Sequence, residues 1–382
     1  MIFRLPTVAG LLLLLMGCSQ ASPQPIAAPI PGERPRAVLP TPTGVGKTAG
    51  AQAPASDHAK PPNVGELVDR AVNTARGGDL PGAITMLEQA VKLEPNNRVA
   101  LYFLSLLTQE RSREFQRPTN SSFLLQSADA IRRLRAAHPD LHDDEAQLLR
   151  VAFYNEACTY AVEGKLDKAL AALSDAVDAG FLMVKQIRSD HELDPLRELP
   201  RFRELEKTIE QRAQAQAREG ALRRLAQAPS FAFDFELPGL DGRKVALADF
   251  KGKITIVDLW GTWCPPCRRE IADLVDLYKR YHDKGLEIVG INYEQAEEDD
   301  EAKEIIRKFV GEHHIPYPCL IGDQKTQERV PSFQGFPTTL YIDRSGKVRV
   351  KVEGFDSEMG LEMEEIVEAL LAERPSKGDK TP

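Results

Sequence analysis

The pattern of apolar and polar positions changes several times along the chain, and each change predicts a different kind of structure. Val8 to Met16 is an apolar run behind one basic residue, Arg4. It is far shorter than the roughly twenty residues that cross a bilayer, and reads as an export signal that is removed. From Ser19 to about Pro62 large apolar side chains almost vanish, and Pro, Ala, Gly and Thr dominate. That composition cannot offset the entropy of ordering, so the stretch reads as a tether reaching roughly 40 Å or more. From Val64 to about Ala213 the rhythm is helical: Gly78-Asp79 leads into Ala83, Leu87 and Ala90, and Gly164 leads into Ala169, Leu173 and Ala176. Small and medium apolar residues at i, i+4 and i+7 after a glycine turn predict paired helices that pack closely. Units are expected at about 64–97, 98–140 and 150–183, the middle one carrying an insertion around Arg113 to Ser122. Glu206 to Gln227 is charged and alanine-rich, and predicts a helix that connects this region to the next.

Beyond Gln227 the rhythm shortens. Phe231 to Glu236 and Lys244 to Leu247 read as a hairpin, followed by strand Ile254 to Leu259, helix Pro265 to Lys284 and strand Glu287 to Tyr293. Helix Asp300 to His313, strands Tyr317 to Ile321, Thr338 to Asp343 and Lys347 to Glu353, and helix Glu358 to Glu373 complete the series. Strand and helix alternate first and a hairpin comes last, which predicts a mixed sheet with helices on both faces. The acidic run Glu297 to Glu301 is expected to be a solvated helix start.

The chemistry concentrates where the first of those strands meets its helix, in Trp260-Gly-Thr-Trp-Cys264-Pro-Pro-Cys267-Arg-Arg-Glu270. Two cysteines separated by two residues at a strand-to-helix turn form a pair that can close and open a disulfide. A thiol at a helix start lies over unpaired N–H groups and the positive end of the macrodipole, which favours thiolate and makes Cys264 the expected nucleophile. Pro265 and Pro266 suit the first helical turn, where a missing N–H costs little. Cys267, one turn further in, is expected to be shielded and to resolve the mixed disulfide. Half a zinc site would need two more ligands, and the downstream cluster His313, His314 and Cys319 has no second Cys-x-x-Cys, so no metal and no cofactor are expected.

The Trp-Cys-Pro-Pro-Cys motif, with Gly335-Phe336-Pro337-Thr338-Thr339 before a strand, resembles thioredoxin-fold proteins. Ala228-Pro229-Ser230-Phe231, Leu247 to Lys251 and Gly354-Phe355 narrow the likeness to the TlpA/ResA-like thiol-disulfide oxidoreductases, over roughly Pro229 to Ala372. The resemblance implies a cis Pro337 facing the cysteines. It also implies a buried carboxyl at Asp258 that handles the resolving proton, as in thioredoxins, and a second carboxyl at Glu270, as in the ResA-like subset. Trp260, Trp263, Phe336 and Thr338, flanking the pair and the proline, are the candidates for holding a client. A peroxiredoxin would need a threonine three residues before its attacking cysteine, where this chain has Gly261. The helical units resemble tetratricopeptide repeats, with Asp194-Pro195-Leu196-Arg197 and Pro200-Arg201-Phe202 resembling a capping segment. Leu15-Met16-Gly17-Cys18 resembles the lipobox of bacterial lipoproteins, which implies acylation of Cys18, and Ser19 implies sorting to the outer membrane.

With 382 residues the chain can hold more than one core. The expected order is a lipoprotein signal peptide at 1–17, a Pro/Ala-rich tether at 18–62 and an all-α tetratricopeptide-like domain at 63–213. A helical connector at 214–228, an α/β thioredoxin-like domain with an N-terminal β-hairpin at 229–374 and a tail at 375–382 complete it. A formal charge of −8 and a pI near 5.6, with basic residues spread out, leave no surface for phosphate backbones, so nucleic acid is not an expected partner. The expected partners are client protein thiols and disulfides, an upstream electron-donor protein, a protein on the helical repeats, and the membrane through the lipid. Of the remaining cysteines, Cys158 reads as a buried small residue and Cys319 as strand core, with a bridge between them left open. The function expected is reduction of client disulfides in the cell envelope, facing the periplasm. A thiol oxidase or isomerase, or a repeat-based binding scaffold, stays open.

Overall fold

Each of the first three helices starts on a side chain that satisfies its exposed N–H groups. Asn63 accepts from the Glu66 N–H ahead of α1 (Val64–Arg76), Asp79 from Gly82 ahead of α2 (Leu80–Leu93), and Asn97 from Ala100 ahead of α3 (Arg98–Ser112). In this computed structural model residues 63–227, 231–296, 298–355 and 359–373 are described. The export signal, the tether, Cys18, the Ala228-Pro229-Ser230 segment, Glu297 and the tail from 374 lie outside the described residues.

Helices α4 (Ser121–Ala137), α5 (Asp143–Val162) and α6 (Leu166–Asp178) continue the series, so that α1–α2, α3–α4 and α5–α6 pack as three successive pairs. Ala71, Ala83, Ala90, Ala169 and Ala176 are wholly buried, which is how small side chains let the helices approach. Gly164 turns the chain between α5 and α6 at φ 73°, a conformation a side chain would strain. The third pair begins at Asp143, earlier than the expected 150, because the first turn is capped by Glu145 reaching back to the His142 N–H.

A short helix α7 (Val184–Ser189) and a 3-10 turn (His191–Leu196) lead into α8 (Pro200–Gln227). This helix runs unbroken through residue 213, so the expected boundary there falls inside one element. Phe202 and Ile209 anchor its first half, while Ala221 is buried in the core of the α/β part.

The sheet has the order β5-β4-β3-β6-β7, formed by β3 (Ile254–Trp260), β4 (Leu286–Asn292), β5 (Cys319–Ile321), β6 (Thr338–Ile342) and β7 (Val348–Glu353). β3, β4 and β5 are parallel, whereas β6 and β7 are antiparallel to their neighbours. β1 (Glu236–Pro238) pairs antiparallel with β2 (Lys244–Ala246) as a separate ribbon. Helices α9 (Pro265–Tyr281), α10 (Asp299–Glu312) and α12 (Met359–Ala372) all bury their apolar residues in one cluster with Ile256, Trp260, Tyr341 and Val352. Helices on both faces were expected. The opposite face is instead covered by Phe233, Phe235, Leu237 and Leu247 from the N-terminal segment, with Val330 near the short α11 (Gln324–Gln327). Aromatic side chains on an extended segment supply the apolar area that a helix would otherwise provide.

Candidate active site around Cys264 and Cys267

Every residue of β3 is buried, and the strand ends on Trp260. The neighbouring strand β4 explains how: a Cβ on Gly290 would lie 2.8 Å from the Trp260 indole nitrogen, so only glycine leaves the ring its place. Trp260 therefore packs inward against Phe309, at 5.3 Å between ring centres, and is 1% exposed. The chain then turns through Gly261, where a Cβ would strike the Trp263 ring. Trp263 folds back over this glycine and donates its indole N–H to the Tyr293 carbonyl at 2.9 Å.

Cys264 stands as the N-cap of α9, its Sγ accepting the Cys267 N–H at 3.3 Å, with Pro265 and Pro266 in the first turn. The two sulfurs form a disulfide. Cys267 is wholly buried and Cys264 is 3% exposed, so the expected contrast in shielding between them is slight in this oxidised form.

The loop before β6 meets the same turn. Phe336-Pro337 is a cis peptide and Pro337 is buried. Thr338 pairs with Leu259 in register, which sets Pro337 beside the end of β3 from which the cysteine turn departs. Phe336 lies edge-on to Trp263 at 5.6 Å and contacts the rings of Tyr293 and Phe333 at 5.3 and 5.1 Å. Trp263, 41% exposed, forms with them an accessible aromatic rim. Of the four residues expected to hold a client, Trp263 and Phe336 belong to this rim, whereas Trp260 and Thr338 do not. Trp260 fills the core, and the buried Thr338 hydroxyl donates to the Gly335 carbonyl at 2.6 Å, bracing the loop from within. Tyr293 and Phe333 complete the rim; nothing in their spacing in the sequence marks them.

Two carboxyls that flank the cysteine pair in the sequence have almost no access to water. Asp258, on the helix-covered face of β3, is 1% exposed, and neither of its oxygens has a partner among the described residues. Glu270, one turn beyond Cys267, is 2% exposed, so this charged residue type is buried and not solvated. It accepts the Thr339 hydroxyl at 2.6 Å on Oε1, while Oε2 has no partner among the described residues. Thr339 is the register partner of Asp258, so β6 links the two acids. Burial, reinforced by the charge on Glu270, lifts Asp258 well above the ordinary carboxyl range. Burial outweighs the Thr339 hydrogen bond and, with the negative Asp273 adding to it, raises Glu270 to about 7. Glu270 can therefore accept and return a proton near neutrality, with Asp258 beside it held toward its neutral form.

The remaining described cysteines are free and buried, which answers the open bridge: Cys158 belongs to α5, and Cys319 to β5. Burial and the nearby Asp258 push the Cys319 thiol up to about 12. Cys158 has more polar company than expected. Its Sγ lies 3.6 Å from an Asp190 oxygen that also accepts the Tyr154 hydroxyl, and Glu192 nearby is paired with Arg117.

Comparison with known proteins matches residues 228–351 to the AhpC/TSA family. A thiol-disulfide oxidoreductase ResA from Bacillus thuringiensis subsp. konkukian is 35% identical over 133 residues, covering 34% of this chain and 71% of the relative. The chain belongs to the ResA-like thiol-disulfide oxidoreductases. The thioredoxin-like protein YneN of Bacillus subtilis is similar to this ResA-like protein at 35% identity over 116 residues, 30% of this chain and 65% of the relative. Among solved structures, a thiol:disulfide interchange protein of the thioredoxin family from Chlorobium tepidum is 29% identical over 37% of this chain and 95% of its own, with a TM-score of 0.32. The ResA-like protein is thus a protein-disulfide oxidoreductase whose thioredoxin-like α/β part comes after a helical region.

Proposed function

We propose that this protein reduces client disulfides through Cys264 and Cys267, and that the observation carrying this reading is a disulfide at the N-terminus of the helix that, one turn on, carries the buried carboxyl of Glu270. In the reduced form the Cys264 thiolate attacks one sulfur of the client disulfide and the other leaves. Cys267 then gives its proton to Glu270 or Asp258 and attacks Cys264, which releases the client as a dithiol and restores the enzyme disulfide. Two electrons pass to the client; its first thiolate takes a proton from solvent, and the proton held by the acid pair goes to the second as it departs. Pro337 and the rim formed by Trp263 and Phe336 hold the client chain beside the pair. An electron-donor protein reverses the exchange on the enzyme side. The reductive direction rests on the resemblance to the TlpA/ResA-like group, and the three helix pairs fit a tetratricopeptide-like surface that docks a protein partner. We further infer that the chain is exported and held at the outer membrane by a lipid on Cys18, facing the periplasm, where disulfides persist.

Removing the resolving thiol tests the two-step scheme. Cys267→Ala should accumulate mixed disulfides on Cys264, visible as heavier bands on non-reducing gels, and Cys264→Ala should not. Equal trapping by both variants would sink the assignment of roles.

A further inference from the structure

An ion pair joins the helical region to the helix that carries the cysteines. Lys185 on α7 donates from Nζ to Asp273 Oδ1 on α9 at 2.6 Å. The contact lies where α7, α9 and α12 converge. A Cβ on Gly360, in the first turn of α12, would fall 2.7 Å from Asp273 Oδ2 and 3.3 Å from Lys185 Nζ, so the glycine makes room for the pair. Asp273 is 17% exposed in its side chain, and its Oδ2 has no hydrogen-bonding partner among the described residues. It comes three residues after Glu270 and shares its face of α9, the separation at which helical side chains feel one another.

We propose that Lys185 is a positioning residue for the thiol–disulfide exchange: by holding the Asp273 carboxylate it sets the field at Glu270 and so ties the redox site to the helical region. This rests on the reading of Glu270 as a proton acceptor for Cys267. The direction of the effect follows from charge. A bare Asp273 makes a second negative charge on Glu270 costlier, and a paired Asp273 makes it less so, so Lys185 keeps Glu270 available as an acceptor at lower pH. A partner that draws Lys185 away from Asp273 raises the pH at which the resolving step runs, which gives the helical region a handle on the chemistry without touching the sulfurs. The other groups facing this pocket are constant in the comparison. They are Cys267 on α9, Asp258 on β3, Tyr341 on β6, and Tyr317 and Cys319 at β5. Glu362 of α12 and Arg224 of α8, paired with each other, act on Tyr341.

The test uses the full-length protein and monitors release of a small aromatic thiol from its mixed disulfide with Cys264, by stopped flow between about pH 5 and 9. Five proteins are compared: wild type, Lys185→Gln, Asp273→Asn, the double variant and Glu270→Gln. Lys185 is 56% exposed in its side chain, so its replacement disturbs no core. Lys185→Gln should move the midpoint up by about half a pH unit, the size expected of a partly exposed pair. Asp273→Asn should move it down, and the double variant should lie close to Asp273→Asn, because without that carboxylate nothing holds the exposed Lys185 ammonium near Glu270 and its charge is screened by solvent. The Lys185 effect should also fade at about 1 M salt, where screening acts over roughly 3 Å. A Lys185→Gln profile that superimposes on a Glu270-dependent wild-type profile overturns the coupling alone, as does an undiminished Lys185 effect in the Asp273→Asn background. A wild-type profile unchanged by Glu270→Gln overturns both the coupling and the proton-acceptor reading.

Discussion

At the scale of single residues, two carboxyls are held where charge is unwelcome. Both are raised by burial, so the fold favours their neutral forms. For a group raised on folding, the stabilising contribution is complete below the unfolded value and is lost as the pH climbs through the folded one. For Glu270 that window runs from its ordinary value of 4.5 up to about 7. Glu270→Gln, which keeps an acceptor for Thr339 and removes the charge, should therefore gain thermal stability over wild type as the pH rises through this window. The gain should reach on the order of 3 kcal/mol, and Asp258→Asn should shift in the same direction. Calorimetric melting at about pH 4.5, 6 and 8 measures it, and a difference that is constant across pH would mean the acids are not buried as described. The sequence marked both positions through its resemblance to the thioredoxin-fold and ResA-like proteins. It held no sign that Thr339 bonds one acid and faces the other, because that contact spans 69 residues and depends on strand register.

At the scale of elements, α8 is the one whose role changes between sequence and structure. Its alanine-rich, charged composition is that of a connector. Yet Gly220 brings it close to Glu362, Ala221 enters the sheet core, and Gln214 and Arg224 donate to Glu365 and Glu362 of α12. It is a wall of the catalytic part as well as a link. A chain beginning at residue 229 should melt several degrees below one beginning at residue 200, since truncation bares the apolar face of α12 around Met363 and Val367. Equal melting temperatures would return α8 to the status of a linker. The five strands of the central sheet and the helices between them were legible to within a few residues, because their apolar periods are strong, whereas the first strand, expected at Phe231 to Glu236, lies at Glu236–Pro238 and the third helix pair starts seven residues early, at 143 against the expected 150. The covering of the second sheet face was not: Phe231, Phe233, Phe235 and Leu237 recur at every second position, as in a strand, but that pattern does not say which face of the central sheet the segment covers.

At the scale of the whole molecule, the question is how a redox head is presented. Among the described residues no helix is long and apolar enough to cross a membrane. Our proposal of a lipid anchor therefore rests on Cys18 and the apolar run before it. Replacing Cys18 with alanine should shift the protein from the membrane pellet to the soluble fraction after cell lysis and ultracentrifugation, with the exchange activity of the released protein intact. Retention in the pellet would require another anchor.

What this sequence determined by itself is local: a cysteine pair at a strand-to-helix turn, glycine-punctuated helices, apolar strands and the identity of the acids nearby. Each of these arises from residues within about one helical turn or one strand of one another. Tertiary structure alone decided which side chains lose water together. It turned Trp260 inward against a glycine on the next strand, placed Asp258 and Glu270 in one dry pocket, and brought Lys185 to Asp273 across 88 residues of chain. Desolvation and ion pairing depend on neighbours from distant segments, so the proton chemistry of this site belongs to the packed molecule.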